Sequence, residues 1–335
     1  MRIRGLFQYM AALLPFNPIR KATGNRIILP FYHLVSDNPP AHVKHLYRVL
    51  SVKEFTRQLD FLLKYYIPID AHTLVKYSQG RCRLGKPTFF LSFDDGFREV
   101  KEVVAPILLA KGVPATFFVN PLFIGNSGLM HRCKLSLIWE ELTSKHHLNA
   151  SHKRIEKYLR SKTHRRSTRE ALLTLPQEQM ALIDNLTRSV GLDIEQYCSY
   201  TKPYLTVADV QELAQKGFTI GGHGYDHLQF SGLTLDEQVD QVEKCMGWIA
   251  ENIPPQPRLF AFPFTDYGVK ADLFRFFYQL NLGIIDLSFG TMGIRDTPFC
   301  QHFQRLPMEV THHNAKSVVG GEILYYIAKR LVGRG

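Results

Sequence analysis

Cysteine is sparse and without pattern in this sequence. The five thiols, Cys82, Cys133, Cys198, Cys245 and Cys300, are odd in number, scattered, and form no CxxC pair. That excludes a disulfide framework and a thiolate zinc site, and it suits a reducing, cytoplasmic compartment. No apolar run is long enough to span a bilayer. Internal repeats and low-complexity linkers are missing too, which leaves a single folded unit rather than an array. Charged residues at 21% are too few for a self-repelling disordered chain, and hydrophobic residues at 45% can bury a large core.

What is present is positive charge, a net +11, much of it local. Between Ser151 and Glu170 lie eight basic residues (Lys153, Arg154, Lys157, Arg160, Lys162, Arg165, Arg166, Arg169) and two acids. Such a cluster attracts polyanions or an anionic membrane; the plain alternative is a solvated helix face. No nucleic-acid motif accompanies it, so nucleic acid is not an expected partner. Residues 1–25 form a basic and apolar segment. Met1–Arg4 is basic and Gly5–Phe16 mostly apolar, but Pro15, Pro18, Arg20 and Lys21 follow where a leader would have small residues at a cleavage site. A short interfacial helix, or a helix packed on the domain, fits this segment. Together these features place the chain in the cytoplasm, peripheral to the inner membrane face.

Seven apolar, β-prone runs recur along residues 26–335: Ile27–Leu34, Pro87–Asp95, Ala115–Asn120, Phe218–Gly222, Leu259–Phe264, Leu282–Phe289 and Arg305–Val310. Helical segments separate them. Ser51–Glu54, Thr206–Asp209 and Thr234–Glu237 carry capping signals, each followed by apolar residues at helical spacing. Buried strands alternating with helices predict an α/β fold with a parallel sheet, open or closed into a barrel. From about 125 to 203 no strand signal occurs. This stretch reads as a large helical insertion after the third strand, over the end of the barrel where active sites are built.

Two strand ends carry chemistry. The run Phe89–Phe93 stops at Asp94-Asp95-Gly96, two like charges that a bound cation would reconcile. The run Phe218–Gly222 enters a glycine bend and then His223 and His227, four apart and able to grip one ion. A carboxylate and two imidazoles at one rim make a hydrolytic zinc-type donor set with positions open for water. A third strand ends at Pro263-Phe264, which could wall a pocket.

These motifs resemble the polysaccharide deacetylase family, carbohydrate esterase family four. Ser92-Phe93-Asp94-Asp95-Gly96 is similar to its [ST]-F-D-D-G motif, and His223-Gly-Tyr-Asp-His227 to its H-[ST]-x-x-H motif, with Gly224 in place of the hydroxyl residue. Phe31-Tyr32-His33 resembles a common family start. The resemblance implies a distorted (β/α)7 barrel and one divalent metal ion, often zinc. It implies Asp95, His223 and His227 as metal ligands, Asp94 as general base, and a backbone N–H near Phe264 for the oxyanion. It implies an N-acetylated glycan, polymeric or lipid-linked, as substrate, and the charge pattern adds membrane-surface contact through the N-terminus and basic insertion.

Two departures stand out. The third motif resembles the F-A-[FY]-P-[FY] branch, so Ala261 occupies the place of the arginine that steadies the catalytic aspartate in relatives; Arg305 is the candidate replacement. The Leu-x-His motif that supplies a general acid has no match, and His302, His312 and His313 read as surface histidines. Two other readings therefore stay open: the same machinery acting on a non-sugar amide, and a catalytically silent carbohydrate-binding protein.

Overall fold

The structure is a computed structural model and describes residues 2–22, 24, 27–143, 155, 157–159, 167–280, 283–310 and 314–332. Six members of the basic cluster (Lys153, Arg154, Arg160, Lys162, Arg165, Arg166) and His312 and His313 lie outside the described residues.

The strands are β1 (Ile27–Ile28), β2 (Pro30–Tyr32), β3 (Ile67–Pro68), β4 (Thr88–Phe89), β5 (Ser92–Phe93), β6 (Thr116–Val119), β7 (Thr219–Gly222), β8 (Leu259–Ala261), β9 (Leu287–Gly290), β10 (His302–Gln304) and β11 (Leu306–Pro307). The helices are α1 (Arg2–Leu13), α2 (Phe16–Lys21), α3 (Val52–Tyr65), α4 (Ala71–Ser78), α5 (Ala105–Lys111), α6 (His131–Thr143), α7 (Thr168–Leu173), α8 (Met180–Ser189), α9 (Ile194–Thr201), α10 (Val207–Gln215), α11 (Leu235–Asn252), α12 (Ala271–Arg275) and α13 (Ala315–Leu331).

All pairings between these strands are parallel, in the order β10-β9-β8-β7-β6-β5-β2-β11. The two ends of that order are one stretch of chain. Residues 302–304 pair with β9 and residues 306–307 pair with β2, with only Arg305 between. The last strand thereby joins the two edges of the sheet into a seven-stave (β/α) barrel. A small sheet, β1-β4-β3, continues the first two staves at their N-terminal ends. Strand residues are buried on both faces, as a parallel sheet covered by helices requires.

Local chemistry sets the helix starts. Ser51 with Glu54, Thr206 with Asp209 and Thr234 with Glu237 form reciprocal capping boxes at α3, α10 and α11. Two strands differ from the expected spans. The sixth begins at Leu287; its expected start, Leu282, lies outside the described residues, and Arg258 holds residues 283–286 in a turn through Gly283 O and Asp286. The seventh begins at His302, three residues before the expected start; its polar residues interrupt the apolar pattern yet are buried.

Among the described residues the insertion is helical, with a small core of its own around Leu135, Ile138, Leu172 and Ile183. It sits on the strand C-terminal rim, where Phe97, Phe123 and Tyr204 stack at 5.4 and 5.5 Å. At the opposite end of the sequence, α1 packs along α13, and Ala11, Phe16 and Ile19 are buried in the same cluster as the helices around the barrel. No helix among the described residues is long and apolar enough to cross a membrane.

Candidate metal centre

β5 delivers Asp94 and Asp95 to the C-terminal rim, and β7, two staves along, delivers His223. The chain then leaves both strands through tight left-handed turns. Asp95 has φ 75° and Gly96 φ 66°; Gly224 has φ 73° and His227 φ 63°. Left-handed conformations at non-glycine residues are costly and cluster where function demands them. Phe264, at φ 59°, is a third such residue at this rim.

The turns bring three ligand atoms together. His227 Nε2 lies 3.2 Å and His223 Nε2 3.5 Å from the same oxygen, Asp95 Oδ1, and the three groups lie within 4.8 Å of one another. Metal–ligand bonds of about 2.0–2.1 Å at tetrahedral angles place ligand atoms roughly 3.4 Å apart, so the spacing suits one ion. Asp95 Oδ1 is buried and has no hydrogen-bond partner, which is costly unless a cation meets it. His223 Nδ1 bonds Ala261 O at 2.8 Å, which fixes the proton there and leaves the Nε2 lone pair facing Asp95. Burial pushes the His223 imidazole down to about 4, so it is neutral. Burial raises the Asp95 carboxyl, but the closeness of His227 outweighs it and holds the group below the ordinary carboxylate range. A neutral imidazole, as at His223, and an ionised carboxylate are the forms that bind a metal.

The loop carrying the imidazoles is braced by residues that sequence motifs do not mark. Asn120 donates to the carbonyls of His223 and Gly224, and Gln241 Oε1 accepts from the backbone of Tyr225 and Asp226.

Asp94 is 2% exposed and meets Arg305, itself fully buried, in a fork: Nη1 to Oδ1 at 2.6 Å and Nη2 to Oδ2 at 2.8 Å. Arg305 also donates to Ser92 Oγ at 3.1 Å and lies over the Phe31 ring at 4.4 Å. Burial raises the Asp94 carboxyl, and the Arg305 guanidinium outweighs it, holding the group below the ordinary carboxylate range. Asp94 Oδ2 lies 3.8 Å from His223 Nε2, so the second carboxylate faces the donor set. The Phe264 ring is 4.6 Å from that of His227, and the Phe264 carbonyl accepts from Thr291 Oγ1 at 2.9 Å.

Two histidines read differently in the structure than in the sequence. His302 is buried, not superficial: Nε2 contacts Asp266 at 3.0 Å and Nδ1 contacts Ser288 Oγ at 2.7 Å, so both nitrogens are engaged. His33, marked in the sequence only as part of a family start, stands beside Asp94, since β2 pairs with β5 and Asp94 N donates to Tyr32 O. Its Nδ1 bonds Glu309 Oε2 at 2.5 Å. Burial lowers the imidazole, but Glu309, with smaller help from Asp95 and Asp94, raises it to about 9. The signal in the sequence was weak: a histidine at a strand end, and a glutamate hundreds of residues later.

A closed parallel barrel with this donor set at its rim defines a hydrolase of the metal-assisted class. The chain belongs to the polysaccharide deacetylase family, whose sequence profile matches residues 82–273, more than half of its length, and it is a carbohydrate deacetylase. No curated protein matches it in sequence. Solved structures share its fold. The Streptococcus pyogenes deacetylase PplD, solved in complex with acetate, is 13% identical with a TM-score of 0.57 over 88% of this chain and 97% of that one. IcaB from Ammonifex degensii is 17% identical with a TM-score of 0.55, covering 90% and 98%. The BpsB deacetylase domain from Bordetella bronchiseptica is 13% identical with a TM-score of 0.52, covering 84% and 95%.

Proposed function

We propose that the enzyme removes acetyl groups from the amino sugars of a glycan, polymeric or lipid-linked, with Asp94 as general base and Asp95, His223 and His227 holding one divalent ion, zinc by the chemistry of the donors. The observation that carries this reading is the convergence of Asp95 with the paired imidazoles while Asp94, held apart by Arg305, keeps a free edge toward them. When bound, the ion supplies Lewis acidity, making a water more acidic and an acetyl carbonyl more electrophilic.

Asp94 Oδ2 accepts the proton of the attacking water. Arg305 keeps that carboxylate ionised and fixed, taking the role of the arginine replaced by Ala261. The backbone at Pro263-Phe264 walls the pocket and offers the Phe264 N–H to the developing oxyanion. His33 is the proton donor for the departing amine. Glu309 occupies Nδ1 and keeps the ring charged, so Nε2 carries the transferable proton. The C–N bond breaks, acetate leaves, and the sugar amine takes the proton. The replacement of the missing arginine by Arg305 argues against a silent binding protein. The glycan reading includes contact with a membrane surface on the cytoplasmic side.

Acetate and free amine released from N-acetylated glycan oligomers, with and without chelator, test the reading. Turnover that disappears with chelator and in Asp94→Asn is the expected result. Hydrolysis of non-sugar amides alone, or sugar binding without turnover, overturns it.

A further inference from the structure

The N-terminal helix presents a face that the barrel does not use. Its inward side, Arg4, Phe7, Gln8 and Ala11, packs on α13, where Gly320 and Gly321 let the helices approach closely. A Cβ on Gly321 would sit 2.6 Å from the Gln8 Cα. The outward side is formed by Ile3, Leu6, Tyr9, Met10, Leu13 and Leu14, exposed by between 42% and 79%. Leaving that many large apolar side chains together in water is unusual and marks a surface made to be covered.

The charge around the face indicates what covers it. The first 36 residues contain five lysines and arginines and no acid, and no acid follows Glu322 to the end of the sequence. The helices run antiparallel, since Arg4 pairs with Glu322 at 3.3 Å while Lys316 donates to Ala12 O at 2.8 Å. Lys329 therefore lies near one end of the face, over Tyr325, which also packs on Phe7, and Lys316 lies near the other. Two copies pairing through this face by a two-fold axis would bring cations against cations. An anionic lipid surface meets both the apolar stripe and its basic ends. A helix of 12 residues, about 18 Å long, is too short to cross a bilayer and suits a position along its surface.

The helix is also fastened to the catalytic rim. Arg4 Nη2 donates to Met292 O and pairs with Glu322, whose carboxylate accepts from Ile294 N at 3.2 Å. Residues 292–294 follow β9 on the rim, where neighbouring Thr291 holds the Phe264 carbonyl.

We propose that α1 lies in the surface of an anionic phospholipid membrane, its Ile3–Leu14 face inserted among the lipids, and sets the barrel mouth beside that surface to take a membrane-borne glycan. This rests on the glycan reading above for the substrate, though the docking itself does not require it.

The test is co-sedimentation of the full chain with vesicles of phosphatidylglycerol and phosphatidylcholine, against phosphatidylcholine alone. The expected result is binding to the anionic vesicles that weakens with salt and falls roughly a hundred-fold in the Leu6→Glu/Leu13→Glu double variant. A Lys316→Gln/Lys329→Gln variant should lose the preference for anionic lipid. Both variants should keep wild-type acetate release from a soluble oligomer, a readout that fails separately if the deacetylase reading is wrong. Equal binding by wild type and the double glutamate variant overturns the proposal. So does a wild-type dimer that the double variant converts to monomer with no vesicle binding, which would assign the face to a second copy.

Discussion

Arg305 grips Asp94 through two parallel hydrogen bonds, from a residue placed where the last strand passes from one neighbour to the other. The element that closes the barrel is thus also the element that holds the proposed base. Breaking a buried pair of this kind leaves a charge without a partner and costs about 3–5 kcal/mol. Arg305→Ala is expected to lower the unfolding free energy by that order. In the protein that still folds, it should lower kcat on the order of a hundred-fold with bound metal unchanged. Arg305→Lys, which keeps the charge but not the fork, should fall between. A folded Arg305→Ala enzyme with wild-type kcat would separate Asp94 from its partner.

The donor set predicts one ion per chain. Dialysis against a chelator should abolish turnover and lower the melting temperature, because an ion at a hundred times its Kd stabilises the fold by about 2.7 kcal/mol. Asp95→Asn removes the anionic ligand and should reduce metal content, read by elemental analysis, more than it reduces stability. Stoichiometric metal in Asp95→Asn would mean the ligands lie elsewhere.

The His33–Glu309 pair makes a prediction that separates proton donation from everything else at the site. A sugar amine is a poor leaving group and needs a proton as the C–N bond breaks; a nitrophenolate does not. His33→Gln and Glu309→Gln should each slow amide hydrolysis by about 10²–10⁴-fold and leave hydrolysis of an aryl acetate nearly unchanged. Equal losses on both substrates would make the pair structural rather than catalytic.

How much of this could be read from the sequence follows from the range of the interactions. The seven staves appear as apolar runs, because burial on both faces writes itself into consecutive residues. Three helix starts appear because a capping box spans four residues. The Asp-Asp-Gly and His-x-x-x-His motifs are local as well, and the fold brings their side chains together. Contacts made only when the barrel closes leave no local pattern. Arg305 meets Asp94 across 211 positions and is legible only because the family resemblance leaves the aspartate without its arginine, while Glu309 meets His33 across 276 and is not legible at all. The buried His302, Ser288 and Asp266 contacts have no periodicity at all, and polar residues in a strand look like a surface until their partners are known.

Stability should respond to acid through His42, which is 1% exposed against Phe97 and the insertion. Its Nδ1 meets the Tyr197 hydroxyl at 2.9 Å and its Nε2 is buried without a hydrogen-bond partner. Burial, with the charge of Arg98, lowers it from 6.5 to about 4. The unfolded chain therefore takes up a proton as pH falls through 6.5, while the folded chain resists until about 4. The stability contributed by this residue is whole above pH 6.5 and is lost toward pH 4, at a slope of up to about 1.4 kcal/mol per pH unit. His33 works in the other window: raised to about 9, it contributes stability below 6.5 that is lost as pH rises through 9. Urea unfolding of wild type and His42→Gln between pH 4 and 6.5 isolates the first effect. The difference between the two proteins should shrink steadily as the solution is acidified, because glutamine keeps a hydrogen bond to Tyr197 and has no proton to gain. Parallel curves across that range would show that His42 is protonated in the folded state.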